Sequence, residues 1–477
     1  MLKIQRLKLR SLLCILVMFL LLSLATIICK APFLLMLTLM IWVVLLVFST
    51  NDIKNNAASL CFLVSFFVFL LGRELCFSYL NLEVYYKYLT GENDFSYICL
   101  IISLLGVATG KICGNKKKQY NYYFVNSYNS SAYNRTIGRI SKIVFYICYV
   151  FQVIAIVKQI QYVRSVGYIA SYSEDAGGAG VPALISYIGA FMPMALFVFL
   201  ATMPSKSKAK MPLILYELYA FLTILSGKRY PFVGISMLVF IYLVIRNRRE
   251  RGWITKKMVT LGMLSVPVIF LFLTAYDSLR SGAGFSFGGI ANTIIDFLDS
   301  QGGSINVIKR ISYYNKELSD LTMCSFDNTR TLLFENLIVR KIFNISVYSG
   351  NSYEHAMYGH SLAHRLSFYS YGSGYLMGKG VGSCFIAELF HDFSYIGVFV
   401  GSFLYGLIIC KIDHMTFSHP IKDGIIIVVL YYILLAPRGS FDGFVGNVFG
   451  LYSLFGYLIL YIMTKLIISR REQKQIS

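Results

Sequence analysis

The sequence predicts an all-α, polytopic integral membrane protein with about twelve transmembrane helices. Three observations lead to that class. Of the 477 residues, 57% are hydrophobic and only 14% are charged, against about 25% charged in an ordinary soluble domain. The apolar residues come in runs of roughly twenty, the length a helix needs to cross a bilayer. Lys and Arg gather in alternate connections between the runs, as they do in cytoplasmic loops.

The runs fall near 11–29, 32–49, 57–78, 95–112, 143–163, 183–203, 211–227, 231–246, 258–276, 386–410, 423–437 and 445–466. The first follows MLKIQRLKLR and has no clear small-residue cleavage site, so it reads as an uncleaved span. With the N-terminus placed in the cytoplasm, 27 of the 44 Lys and Arg fall inside. Nine of the 17 outside lie in one long loop, where the charge bias does not operate. KKK (116–118), SKSKAK (205–210), RNRRER (246–251) and RREQK (470–474) all fall inside. The expectation is a multi-pass protein of a plasma membrane with both termini cytoplasmic. The same bias accounts for the formal charge of +21. No basic stretch carries a binding motif of its own, so nucleic acid is not an expected partner.

Three parts follow: helices 1–9 over residues 1–276, a large extracytoplasmic loop over 277–385, and helices 10–12 with a cytoplasmic tail over 386–477. The loop is too long for a mere connector. Its amphipathic stretches NTIIDFLDS and TRTLLFENLIVRKIF predict helices lying at or over the membrane. No internal repeat is visible, which weighs against a transporter built from two related halves. Cys14, Cys29, Cys61, Cys99, Cys148 and Cys410 sit in apolar runs without CxxC spacing and read as small buried hydrophobes.

Ionisable residues near spans are costly and so are functional candidates. LSGKRYP (225–231) carries Lys228 and Arg229, YDSLRSG carries Arg280, YGHSLAHRLS carries Arg365 and APRGSFDG carries Arg438. These lie on separate segments near one membrane face. Arginine grips phosphate in a fork, so the set suggests an anion site at the lipid–water boundary. Alternatively, the arginines snorkel to headgroups, which makes membrane lipids partners in either case.

The stretch GKGVGSCFIAELFHDFSYIGVFVGSFLYG (378–406) runs from glycines into an apolar span. Glu388, His391 and Asp392 stand at i, i+3 and i+4, on one helix face. A carboxylate beside an arginine cluster can take a proton from a substrate hydroxyl. The alternative is capping of a helix start. His360 and His364, in EHAMYGHSLAH, have a spacing that suits one metal, but HExxH and a third ligand at standard spacing are missing. The reading is therefore no metal and no cofactor. The glycines at 372, 374, 378, 380 and 382 lack GK[ST] and read as a sharp turn at the bilayer, with amides able to meet a phosphate.

Residues 378–406 resemble the C-terminal signature of Wzy-type O-antigen polysaccharide polymerases: a glycine-rich turn, Ser-x-x-Ala-Glu, an aromatic, Asp-Phe-Gly, Gly and an apolar span. Ser394 stands where that family usually has glycine. LSGKR (225–229) resembles its Ser/Thr-Gly-x-Arg turn, and SQGGS (300–304) and GHSLAHRLS (359–367) fit its long outer loop. The resemblance covers about residues 160–460. It implies a membrane glycosyltransferase of GT-C-like fold that joins oligosaccharide repeat units carried on undecaprenyl pyrophosphate, at the outer face of the bacterial plasma membrane. Lipopolysaccharide O-antigen or capsule is the implied product, and a chain-length regulator a further partner. Lys228, Arg229, Arg280, Arg365 and Arg438 would bind pyrophosphate. Glu388, then Asp392 or His391, would act on the acceptor hydroxyl. Gln301, His360 and His364 would contact substrate. An O-antigen ligase would use similar chemistry on a lipid-core acceptor. A flippase or transporter would need polar residues buried in mid-span.

Overall fold

The computed structural model describes residues 2–80, 87–115, 132–173, 178–262, 264, 271, 289–344 and 346–476. Among these there are helices and turns and no strand. This suits a chain whose solvent is lipid, because a helix satisfies its backbone hydrogen bonds internally. The elements are α1 (Leu2–Cys29), α2 (Phe33–Asn51), α3 (Ile53–Tyr79), α4 (Tyr88–Asn115), α5 (Ala132–Val166), α6 (Ala183–Ala201), α7 (Lys206–Leu225) and α8 (Tyr230–Arg249). Shorter helices follow: α9 (Ile290–Gln301), α10 (Ile305–Tyr313), α11 (Asp327–Phe334) and α12 (Leu362–Tyr371). Three long helices close the chain: α13 (Phe385–Asp413), α14 (Pro420–Arg438) and α15 (Phe444–Gln473).

Nine described helices are long and apolar enough to cross a membrane: α2 to α6, α8 and α13 to α15. The protein is therefore a multi-pass membrane protein. The apolar stretch of α1 is the shorter Ile15–Cys29. Helix α7 carries Lys206, Lys208, Lys210 and Glu217, too many charges for the same standard. The run expected at 258–276 lies mostly outside the described residues.

Close packing of α13 on α4 sets the position of the signature helix. Gly106, Gly110 and Gly114 form a stripe at four-residue spacing on α4. A Cβ at Gly110 would sit 2.1 Å from the Phe403 carbonyl oxygen. Opposite, Ser402, Gly406 and Cys410 form the matching stripe, and Ser402 donates to Ser103 at 2.9 Å. Small residues let two helix backbones approach this closely without a solvent-driven hydrophobic force between them. At the far end of the same pair, buried Asp413 accepts from the Ala58 amide at 2.8 Å and from Ser59, and pairs with Lys111 at 3.5 Å. Arg248 of α8 donates to the Asp413 carbonyl. That end of the bundle is locked by charge. The opposite end carries α9 to α12 and the mouth of α13.

The apolar run expected as a single span at 386–410 is bent. Ser394 has φ 54° and ψ −155°, which breaks the helical geometry and leaves Phe385–Phe393 as a separate short limb. A side chain there costs about 1–3 kcal/mol in strain. Glycine meets no such cost, which accounts for the glycine expected at this place in the signature. Ser394→Gly should thus gain on the order of 1 kcal/mol after allowing for glycine's backbone entropy. Thermal unfolding in detergent should show a raised midpoint, and an unchanged or lower one would count against strain at Ser394.

Candidate functional site

The short limb of α13 is held by two carboxylates and a histidine, each of which reaches a segment far away in sequence. Buried Glu388 accepts from the Ser383 hydroxyl at 2.6 Å and from the Phe441 amide at 2.7 Å, so both oxygens are engaged. Asp392 accepts from the amides of Cys324 at 3.2 Å and Ser325 at 2.7 Å, and from the Cys324 thiol at 3.3 Å. His391 meets Asp392 through Nδ1 at 3.1 Å and the Leu318 carbonyl through Nε2 at 3.1 Å. Residues 318–328 therefore lie across the limb. Their far end is pinned by buried Asp442, which accepts from the Thr329 amide at 2.6 Å and the Asn328 side chain at 2.9 Å. Asp327 beside it has its pKa pushed up to about 6, by burial and then by the Asp442 and Glu335 charges. Cys324 is likewise raised by burial and by Asp392 and Glu388, so its thiol keeps its proton.

Beside this limb opens a cleft of about 810 Å³. Its walls include Asn315, Lys316, Ser319 and Thr322 from one side and Phe390, His391 and Asp392 from the other. Ile311, Leu321 and Met323 complete the lining, which mixes polar and apolar groups. Glu388 is not among the lining residues; it faces the turn of APRGSFDG instead.

That turn carries Arg438. Its guanidinium donates to Gln301 Oε1 at 3.0 Å and lies over the Phe69 ring at 5.7 Å. The structure thus joins two of the sequence candidates, Arg438 and Gln301. Arg438 is also within electrostatic reach of Tyr230, whose neighbour Arg229 is buried at the start of α8. Lys228 lies over the Tyr172 ring at 5.9 Å, and burial pulls its pKa down.

Two glycines bring the motifs together. Gly227 (φ 89°) packs under Tyr168, and a Cβ there would be 2.2 Å from the ring. Gly378 (φ 101°) packs on the Ile169 carbonyl, where a Cβ would be 2.0 Å away. The turn at 168–173 therefore docks both LSGKR and the glycine-rich lead into the signature, and only glycine fits at either contact.

Other candidates stand apart. Arg365 donates to Asp320 at 2.9 and 3.0 Å and to the carbonyls of Ala356 and Met357 at 2.6 Å each. It is buried and shapes the 356–365 turn, and in return its bonds hold Asp320 below the usual carboxylate range. His364 stacks on His355 at 3.6 Å and bonds the Tyr375 hydroxyl at 2.8 Å. Burial, then His355, holds its pKa down to about 4, so it stays neutral. His360 lies near the backbone of Thr322, which lines the cleft. Arg280 lies outside the described residues.

Residues 11–471 match the family model for the O-antigen polysaccharide polymerase Wzy. The chain belongs to this family. No curated protein and no solved structure matches it. Polysaccharide polymerisation is therefore the general chemistry of the family to which this membrane protein belongs.

Within this Wzy-family chain, several buried polar residues were missed by reading the sequence. Arg73 pairs with Asp299 at 3.0 Å, and Lys309 pairs with Glu74 at 2.7 Å. Glu74 also accepts from Tyr97 at 2.6 Å. Arg73 backs the SQGGS segment: a Cβ on Gly302 would lie 2.4 Å from its own Cβ. The signal was available, since LLGRELCF places two charges inside an apolar run. Cys324 and Asp442 gave no comparable signal, because their partners lie 68 and 114 residues away.

Proposed function

We propose that this chain joins oligosaccharide repeat units carried on undecaprenyl pyrophosphate, at the outer face of a bacterial plasma membrane. Twelve spans with cytoplasmic termini and a GT-C-like arrangement complete this reading, with residues 277–385 as the outer loop. The observation that carries it is that one short helical limb holds the Arg438 turn through Glu388, where Arg438 meets Gln301, and lines the cleft with His391 and Asp392. In the reaction, the bond from the donor's anomeric carbon to pyrophosphate oxygen breaks. The acceptor hydroxyl oxygen bonds to that carbon and gives up its proton. Arg438, with Arg229 and Lys228 nearby, would stabilise the charge developing on the leaving pyrophosphate. The acceptor sugar would occupy the cleft along His391 and Asp392, with His360 at its rim. Glu388 has both oxygens committed, so its assigned part is to place the Arg438 turn rather than to move a proton. Arg365 and His364 shape the loop that forms the wall.

Deletion of the gene in its host, followed by gel separation of the surface glycan, tests this. The expected result is loss of the ladder with single capped repeat units remaining, restored by a plasmid copy. Long polymer retained on the lipid carrier would point to a ligase. An unchanged ladder would remove the polymerase reading.

A further inference from the structure

The polymerase reading places His391 and Asp392 along the acceptor cleft but gives no part to Cys324 or to the convergence of these three side chains. Cys324 Sγ, His391 Nδ1 and Asp392 Oδ1 converge, with 3.6 Å between sulfur and nitrogen, 3.3 Å between sulfur and oxygen and 3.1 Å between nitrogen and oxygen. All lie within one 4.8 Å group. A tetrahedral zinc ion with bonds of about 2.0 Å to N and O and about 2.3 Å to S separates N from O by roughly 3.3 Å, and S from either by roughly 3.5 Å. The observed edges match those of one face of such a tetrahedron.

The surroundings point the same way. His391 Nε2 faces the Leu318 carbonyl, which can only accept, so the proton of the neutral ring sits on Nε2. That leaves the Nδ1 lone pair aimed at the sulfur and the carboxylate. Metal-bound histidines are held in this way, with the remote N–H on a carbonyl or carboxylate. Asp392 is fixed by two backbone amides, so its Oδ1 is oriented before any ion arrives. The site is nearly closed, with the Asp392 side chain 1% and the His391 side chain 12% exposed. His391 and Asp392 are nevertheless among the residues that line the cleft.

We propose that Cys324, His391 and Asp392 bind one zinc-like divalent ion, with an open position toward the cleft. A thiolate, an imidazole and a carboxylate favour a borderline ion such as zinc over magnesium or calcium. Binding expels the Cys324 thiol proton into solvent. The inference deepens the polymerase reading, on which it rests only for what meets the open position: an acceptor sugar hydroxyl, made more acidic by the ion.

The test needs no polymerase assay. The full chain, purified in detergent and stripped with a chelator, is dialysed against Zn²⁺, and separately against Co²⁺. One equivalent should bind, and the Co²⁺ form should show a thiolate-to-cobalt charge-transfer band in the near ultraviolet. Cys324→Ser and His391→Gln should each weaken binding by at least the roughly 100-fold that outer-shell changes can reach. His355→Asn with His364→Asn should leave it intact. The cobalt band of the wild-type chain keeps the test decisive if a variant misfolds. Absence of stoichiometric binding, a cobalt spectrum without the thiolate band, or binding lost only with His355 and His364 would each overturn the proposal. A doubly protonated His391 ring between Asp392 and Leu318 is the arrangement those results would leave.

Discussion

Arg438→Ala, expressed at the wild-type level, is expected to cut polymer formation by roughly 10²–10³-fold, the loss that follows removal of one donor aimed at developing charge. The side chain sits where such a donor is useful. Gln301 fixes one end of the guanidinium at 3.0 Å, and the Phe69 ring lies beneath it at 5.7 Å. On the proposed reading, a guanidinium so held would meet an arriving pyrophosphate without reorganising. Arg438→Lys should rescue little, because a lysine has neither the planar fork nor the stacking face. Gln301→Ala should produce a smaller defect in the same direction. The measurement is the rate and length of ladder formation at matched protein levels. A ladder unchanged in both respects for Arg438→Ala would remove the anion-site model.

The second large effect is expected at Glu388, and here the alanine and glutamine variants should part company. Glu388→Ala leaves the Phe441 amide and the Ser383 hydroxyl without their buried acceptor, at about 1–3 kcal/mol each. The turn from Arg438 to Phe441 is then released, and activity should fall about as far as in Arg438→Ala. Glu388→Gln keeps the shape: its carbonyl can accept from the amide while its NH₂ donates to the serine oxygen. It should retain activity within about tenfold of wild type, since both hydrogen bonds keep a partner. Were glutamine as damaging as alanine, the negative charge itself would be required, and Glu388 would return to the role of proton acceptor that its place in the sequence first suggested.

The difference between those two roles shows how far the sequence could be read. Glu388, His391 and Asp392 were identifiable because an i, i+3, i+4 pattern of charge at the head of an apolar run is a local feature. What each one touches was not identifiable. Glu388 meets an amide 53 residues on, and Asp392 meets a thiol 68 residues back. Arg365 is the clearest case. As a loop arginine it was a fair phosphate candidate, yet Asp320 and two carbonyls have taken its donors. Arg73 shows the reverse: its charge inside an apolar run was a visible signal, while its partner Asp299 lies far along the chain.

The membrane class, the helical character and nine of the long apolar helices were determined by the sequence alone. Hydropathy and period are local quantities, and lipid selects on them directly because every spanning backbone must satisfy itself. The signature from Gly378 to Gly406 was likewise legible, as a pattern of neighbours. Only the tertiary structure decided that α13 breaks at Ser394 and that Gly227 and Gly378 dock on one turn. It alone set Cys324 against His391 and Asp392. These outcomes depend on which distant backbones come within a few ångströms of one another, and hydropathy carries no record of that.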